Sequence, residues 1–139
     1  MTLLDGMHIL VVEDEALIAI DIEAQLRLLG GVVVGPEGRL DKALELAETV
    51  PLDGALLDIN IRGGVVFPVA EVLLARGVPV LLSTGFGPER LPAPFRALPY
   101  LRKPFDARQL QHAVLKAFVG PRLASRAYSG EELMRGERS

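Results

Sequence analysis

Short apolar segments alternate along this chain with segments whose apolar residues recur every three to four positions. The first pair is His8–Val12, rich in β-branched residues, followed by apolar side chains at positions 18, 22, 26 and 29. Short buried strands and amphipathic helices produce these two patterns. The alternation continues with predicted strands at residues 32–34, 55–57, 78–82 and 100–102, and predicted helices at residues 40–47, 69–76 and 106–118. We therefore predict an α/β fold, a doubly wound five-stranded parallel sheet in the flavodoxin-like order 2-1-3-4-5.

Proline interrupts the fourth helix of this pattern. Five of the ten prolines lie at positions 88, 92, 94, 99 and 104. Proline has no amide hydrogen and breaks the hydrogen bonding of a regular helix. We therefore expect an irregular or shortened fourth helix, with residues 85–99 holding at most one or two turns.

Length and composition restrict the class of protein. At 139 residues the chain suits one domain, which we place at residues 1–120, with residues 121–139 as a polar tail or helical extension. The absence of cysteine excludes disulfides and thiolate zinc sites and favours a reducing compartment. A net charge of -3 argues against nucleic-acid binding, and the sequence shows neither a membrane span nor a signal peptide. We expect a cytoplasmic protein that binds neither nucleic acid nor membrane.

Polar and charged side chains follow the ends of four predicted strands. Glu13 and Asp14 follow the first strand, Asp58 ends the third, Thr84 follows the fourth and Lys103 follows the fifth. Function in a doubly wound sheet collects at this edge, so we expect these groups to share one pocket. Neighbouring carboxylates repel one another without a counter-ion, and their oxygens suit Mg²⁺. The set is typical of phosphoryl transfer to a carboxylate.

Each of these residues also has an ordinary structural interpretation. Asp58 could cap the turn that follows its strand. Glu13 and Asp14 could be solvated charges at a helix N-terminus. Tyr100 could be an ordinary residue of an edge strand. Taken one at a time, the residues leave these alternatives open.

Four motifs in this order resemble the receiver domain of bacterial two-component response regulators, over about residues 7 to 119. They are Val11-Val12-Glu13-Asp14-Glu15, Leu56-Leu57-Asp58, Ser83-Thr84-Gly85 and Lys103-Pro104-Phe105. Each motif alone is weak, but together, each at a strand end, they form a specific signal.

The resemblance implies a role for each matching residue. Asp58 would accept the phosphoryl group from a kinase histidine, and Lys103 would pair with that group. Asp14 and Glu13 would hold Mg²⁺ together with Asp58, and the backbone carbonyl of Asn60 would complete the protein's ligands.

The resemblance also implies a conformational switch. Thr84 would hydrogen-bond a phosphoryl oxygen and move toward it, and Tyr100 would be the aromatic residue that then turns inward. The Lys103-Pro104 peptide bond would be cis.

Two stretches depart from the common receiver pattern. Residues 59–64 follow Asp58 where many receivers carry a Met-Pro pair. Leu82 and Ser83 precede Thr84 where a subset of single-domain receivers has the first two residues of a Phe-Ala-Thr-Gly motif. The partial match favours this subset, whose members serve histidine kinases of the HWE type.

The resulting hypothesis is a stand-alone receiver that is phosphorylated by a sensor histidine kinase or histidine phosphotransferase and signals to a downstream protein target. It would catalyse only its own phosphorylation and dephosphorylation and so is not an enzyme in the usual sense, and self-association into a homodimer is left open. One alternative is a phosphorylation-independent protein-binding module. Another is a Mg²⁺-dependent aspartyl-phosphate hydrolase, which Asn60 disfavours because such enzymes typically carry a second aspartate at that position.

Overall fold

The computed structural model describes residues 3–120, and the predicted tail at residues 121–139 lies outside that range. Eleven regular strands and helices follow one another along these residues. In chain order they are β1 His8–Val12, α1 Ala16–Leu28, β2 Val32–Glu37, α2 Leu40–Thr49, β3 Gly54–Asp58, β4 Asn60–Ile61, β5 Gly64–Val65, α3 Phe67–Ala75, β6 Val80–Thr84, β7 Tyr100–Arg102 and α4 Ala107–Val114. A short π-helix, Leu115–Val119, extends α4.

The five long strands form one parallel sheet in the order β2-β1-β3-β6-β7. This is the predicted 2-1-3-4-5 order, because β4 and β5 form a separate antiparallel hairpin. Every residue of β3 and of β6 is buried. Central strands of a parallel sheet are covered on both faces, so their sequences are continuous apolar runs. This pattern predicted β3 and β6.

Two apolar cores lie on opposite faces of the sheet. On one face α2 and α3 pack over alternate strand residues that include Leu10, Leu57 and Leu82. On the other face α1 and α4 pack over Ile9, Leu56 and other residues of the opposite parity. Successive side chains of a strand point to opposite faces, so β1, β3 and β6 each contribute to both cores, whereas the edge strand β7 contributes Leu101 to the second core only.

The predicted strand and helix boundaries hold to within a few residues, and the second strand shows the largest difference. The sequence predicts that β2 closes at Gly35-Pro36, but the strand continues to Glu37, with a shift of register against β1 between Leu10 and Val12. Gly35 has φ +95, and a Cβ there would lie 2.9 Å from the carbonyl oxygen of Val11. Glycine therefore lets the strand pass through an irregularity that stops most strands.

The proline-rich segment after β6 is irregular, as predicted. It contains two single turns of 3-10 helix, Pro88–Arg90 and Ala93–Phe95. Leu91 and Phe95 are buried in the α2–α3 core, and the Phe95 ring stacks on Phe67 with centroids 4.8 Å apart. The segment is thus held by its apolar anchors and by the hydrogen bonds of single turns, without the continuous ladder of a regular helix.

The final helix begins at a capping box. The Asp106 carboxylate accepts a hydrogen bond from the Gln109 amide at 2.8 Å, and the Gln109 side chain accepts one from the Asp106 amide at 2.9 Å. The Lys103-Pro104 peptide bond just before it is cis. Within residues 3–120, no helix is both long and apolar enough to cross a membrane.

Candidate functional site

Three carboxylates meet at the carboxyl edge of the sheet. Glu13 and Asp14 follow β1, and Asp58 is the last residue of β3, the neighbouring strand. One oxygen from each of the three lies within 4.8 Å of the others. Glu13 and Asp58 are buried, and Asp14 is half-buried. The structure therefore brings together the three acidic residues that the sequence singled out.

Lys103 supplies the counter-charge from the far end of the chain. Its Nζ lies 2.9 Å from Glu13 Oε1 and 3.3 Å from Asp58 Oδ2. Lys103 and Glu13 are 90 residues apart in the sequence. They meet because β7, which precedes Lys103, lies beside β6, and β6 pairs with β3. One ammonium against three carboxylates leaves an excess of negative charge in a poorly hydrated pocket.

This environment shifts the protonation of two of the groups. Burial, a hydrogen bond with Glu13 and the charge of Glu13 raise the pKa of Asp58 to about 7, against the smaller opposing effect of Lys103. Burial alone would lower the pKa of Lys103, but its hydrogen bond with Glu13 and the charges of Asp58 and Glu13 raise it above its usual value. Lys103 is therefore cationic at neutral pH, while Asp58 is poised to lose a proton there.

The donor set fits a hard divalent cation. All three side chains present carboxylate oxygens, the ligands that Mg²⁺ prefers, and their spacing allows a single ion to contact them all. Burial first, and then the neighbouring Glu13, raise the pKa of Asp58. A bound cation would supply positive charge that favours the ionised carboxylate.

Thr84 ends β6 close to this cluster, but its hydroxyl is engaged elsewhere. Thr84 is buried, and its Oγ1 donates to the Phe86 carbonyl and accepts from the Phe86 amide, both at 3.1 Å. Tyr100, in the edge strand β7, is 42% exposed. The structure thus places Thr84 at the site with its hydroxyl in a local turn, and leaves Tyr100 on the surface.

Sequence reasoning missed the hairpin that follows Asp58. Asn60 lies in β4 opposite Val65, with the turn at Arg62 and Gly63. The Arg62 amide donates to the Gly38 carbonyl at 3.0 Å, and the Leu40 amide donates to the Arg62 carbonyl at 2.8 Å. The hairpin therefore ties the loop after β3, which carries Asn60, to the loop after β2.

The signal for this hairpin is the Gly63-Gly64 pair, which lies within residues 59–64, the stretch that departs from the common receiver pattern. Both glycines have positive φ, +96 for Gly63 and +145 for Gly64. Glycine adopts positive φ without steric cost, so adjacent glycines are typical of tight turns.

Solved structures similar to this chain include response regulators and receiver domains. The response regulator PhyR from Brucella abortus superposes with a TM-score of 0.75 at 32% identity, over 91% of this chain and 53% of that one. SdrG from Sphingomonas melonis Fr1 superposes with a TM-score of 0.66 at 38% identity, over 86% of this chain and 99% of SdrG. The receiver domain of the sensor histidine kinase PA1611 from Pseudomonas aeruginosa PAO1 superposes with a TM-score of 0.70 at 29% identity, over 83% of this chain and 98% of that one. That receiver domain holds a magnesium ion in its active-site cleft.

Curated sequences agree with these structures. The transcriptional regulatory protein PdtaR of Mycobacterium tuberculosis is 34% identical over 111 residues, which are 77% of this chain and 54% of PdtaR. The chain spans about half the length of the curated relatives it matches. No protein-family model matches it. This chain matches SdrG over nearly all of that protein, and its strand order and strand-end residues agree with the match. It therefore belongs to the receiver-domain family of two-component response regulators.

Proposed function

We propose that this chain accepts a phosphoryl group on Asp58 from the phosphohistidine of a sensor histidine kinase or histidine phosphotransferase, in a Mg²⁺-dependent reaction. The observation that carries the proposal is the Lys103 ammonium 3.3 Å from Asp58 Oδ2, inside a group of three carboxylates. Phosphoryl transfer to a carboxylate requires a nucleophilic carboxylate, a fixed positive charge beside it and acidic groups that can bind a metal ion.

In the transfer itself the Asp58 carboxylate is the nucleophile. One carboxylate oxygen forms a bond to phosphorus as the phosphorus–nitrogen bond of the phosphohistidine breaks. The electron pair of that bond stays on the imidazole, and one proton, taken from water by the other ring nitrogen, makes the leaving histidine neutral. The pKa of about 7 for Asp58 means that a large share of the carboxyl is already ionised at neutral pH.

Mg²⁺ would be held by the carboxylates of Glu13, Asp14 and Asp58 and by the backbone carbonyl of Asn60. When bound, it would supply positive charge against the phosphoryl oxygens. Lys103 supplies a second, fixed charge, and its hydrogen bond to Glu13 at 2.9 Å holds its Nζ toward Asp58. Together the two cationic positions offset the charge of the incoming group.

Thr84 would report the phosphorylated state. Its hydroxyl must leave the Phe86 backbone to bond a phosphoryl oxygen, and this frees both the amide and the carbonyl of Phe86. Phe86 opens the proline-rich segment, so the exchange would loosen the start of that segment. Tyr100, exposed on β7, would then be free to turn inward.

The signal would leave through contact with another protein or through onward transfer of the phosphoryl group. One structural neighbour is the anti-anti-sigma factor PhyR from Bartonella quintana. We infer that the chain performs no turnover of external substrates, because Asn60 lacks an acid–base group where an aspartate would serve. The absence of cysteine favours a cytoplasmic setting for this role.

The first test is phosphorylation by acetyl phosphate with Mg²⁺, followed by the intact mass of the protein. We expect the mass of one phosphoryl group to be added, and to be absent after Asp58→Asn or when Mg²⁺ is chelated. Asp41→Asn, which changes an exposed aspartate on α2, is the matched control and should accept the group normally.

A second donor makes a negative result decisive. If the mass stays unchanged with acetyl phosphate, the same assay is repeated with a phosphorylated histidine kinase. Failure with both donors would contradict the proposal and favour the phosphorylation-independent binding module. In that case partner binding would be unaffected by Asp58→Asn.

Mg²⁺ binding is expected to depend on the acidic group itself. Asp14→Asn or Glu13→Gln should weaken Mg²⁺ binding by about tenfold or more, because each removes one negative ligand. Isothermal titration with Mg²⁺ at pH 8 measures the change. Glu15→Gln is the control, since Glu15 is exposed, adjacent in sequence and outside the group of three. Equal losses in all three variants would show a general charge effect instead of ligation.

A further inference from the structure

Ser83 carries a hydroxyl that is buried without a partner. Its side chain is fully inaccessible, and among the buried side-chain atoms of residues 3–120 its Oγ stands out for having no hydrogen bond. A hydroxyl that gives up water without gaining a partner costs free energy, so such a group calls for an explanation.

The register of the sheet places Ser83 beside the proposed phosphoacceptor. On β6, Ser83 pairs with Asp58 of β3 on one side and with Leu101 of β7 on the other. Paired residues of adjacent strands have neighbouring side chains on one face of the sheet.

The alternation along the strands fixes that face. Leu56 and Leu81, two residues before Asp58 and Ser83, both lie in the core under α1 and α4. Side chains two residues apart share a face, so the Asp58 and Ser83 side chains point the same way. Leu101 belongs to the same core, and Lys103 two residues later reaches Asp58 from this side. Ser83 therefore lies on β6, beside the acceptor Asp58. On one side of β6 is β3, which ends at Asp58, and on the other is β7, which precedes Lys103.

We propose that Ser83 is a positioning residue whose hydroxyl donates a hydrogen bond to the Asp58 carboxyl oxygen that does not carry phosphorus, and that it thereby shortens the life of the phosphorylated state. The inference rests on the proposed function. No existing hydrogen bond has to break for this contact, because the hydroxyl is committed to no other group.

The chemistry of dephosphorylation gives the direction of the effect. A water oxygen bonds to phosphorus, the bond from phosphorus to the Asp58 oxygen breaks, and its electron pair stays on the carboxylate. Both water protons leave with the phosphate. Negative charge therefore grows on the carboxyl group during the step, and a donor on its free oxygen stabilises the transition state more than the acyl phosphate.

The test compares the half-life of the phosphorylated protein in wild type, Ser83→Ala and Ser83→Cys. Cysteine fills the space of serine but is a weak donor, so it separates hydrogen bonding from packing. With Mg²⁺ present, we expect both variants to keep the phosphoryl group about fivefold longer than wild type. An unchanged half-life in Ser83→Ala, or a Ser83→Cys half-life closer to wild type than to Ser83→Ala, would overturn the role of Ser83.

Thermal unfolding of the unphosphorylated protein provides a second readout. Ser83→Ala should raise the melting temperature, because it removes a buried hydroxyl that has no partner at rest. A lower melting temperature would mean that the hydroxyl is already bonded in the resting state, which contradicts the proposal.

The outcomes separate this inference from the function on which it rests. If wild type gains no phosphoryl group from either donor, the proposed function fails and the inference falls with it. If wild type is phosphorylated normally and the variants lose the group at the wild-type rate, only the role of Ser83 is overturned.

Discussion

Asp58→Asn is expected to stabilise the metal-free protein against urea by about 2 to 4 kcal/mol at pH 8, although it removes the proposed acceptor. Asp58 is a buried carboxyl beside Glu13, and its pKa is raised from 3.8 to about 7. Asparagine has nearly the same shape as aspartate and no charge. The variant therefore avoids the cost of burying a charge and the repulsion between Asp58 and Glu13. Lys103 keeps its contact with Glu13 at 2.9 Å in either case.

The sign of the pH dependence follows from proton binding in the two states. Between about pH 4 and pH 7 the folded protein holds a proton on Asp58 that the unfolded chain has lost. Raising the pH through this window therefore lowers the free energy of unfolding of wild type, and the full penalty is present above pH 7. The asparagine of the variant does not titrate, so its advantage should fall to about 1 kcal/mol near pH 4.5.

Urea denaturation at the two pH values, with a chelator present, measures this difference. Added Mg²⁺ at pH 8 should narrow the gap by binding wild type more tightly than the variant. A variant that is less stable than wild type at pH 8, or a gap that is the same at both pH values, would contradict the assigned electrostatics.

Phe118→Ala is expected to lower the free energy of unfolding by about 3 to 5 kcal/mol. Phe118 is 1% exposed and lies in the core under α1 and α4, near the end of the part of the chain that the structure describes. Its ring covers Gly54 at the start of β3, where a Cβ would come within 2.7 Å of the ring. Removing the ring leaves a cavity between the last helical turn and the central strand.

Urea denaturation of a small set of variants separates cavity formation from steric fit. Gly54→Ala should cost about 1 to 3 kcal/mol, because the added methyl group meets the Phe118 ring. Combining it with Phe118→Leu should cost less than the sum of the two single changes, since a smaller side chain leaves room for the methyl group. Leu28→Ala, at a residue 69% exposed on α1, is the control and should change stability little. Strict additivity would show that Gly54 and Phe118 do not interact.

Much of the fold follows from local pattern. β1 and β3 are predictable because strands buried on both faces are continuous apolar runs, and α2 because its apolar residues share one helical face. The capping box at Asp106 and the irregular segment after β6 also follow from neighbouring residues. The Asn60–Val65 hairpin escapes prediction because its two short strands give too little alternation to distinguish them from a loop.

The positions of the site residues were predictable, but their contacts were not. Asp58 is the last residue of its strand, Glu13, Asp14 and Lys103 follow the ends of theirs, and a doubly wound sheet gathers those ends at one edge. That topology says nothing about which atoms meet. Thr84 sits where expected, yet its hydroxyl is bonded to Phe86 instead of facing the carboxylates.

Local pattern is thus sufficient for the order of strands and helices, the parallel sheet and the residues gathered at its carboxyl edge. These features depend on the spacing of apolar residues and on the residues at the strand ends, both visible in neighbouring positions. Three other features depend on contacts across the fold: Lys103 lies 3.3 Å from Asp58, the pKa of Asp58 rises to about 7, and the Ser83 hydroxyl is buried without a partner. Hydrogen bonds and charge interactions act over a few ångströms between strands far apart in the chain, so they are set by register and packing.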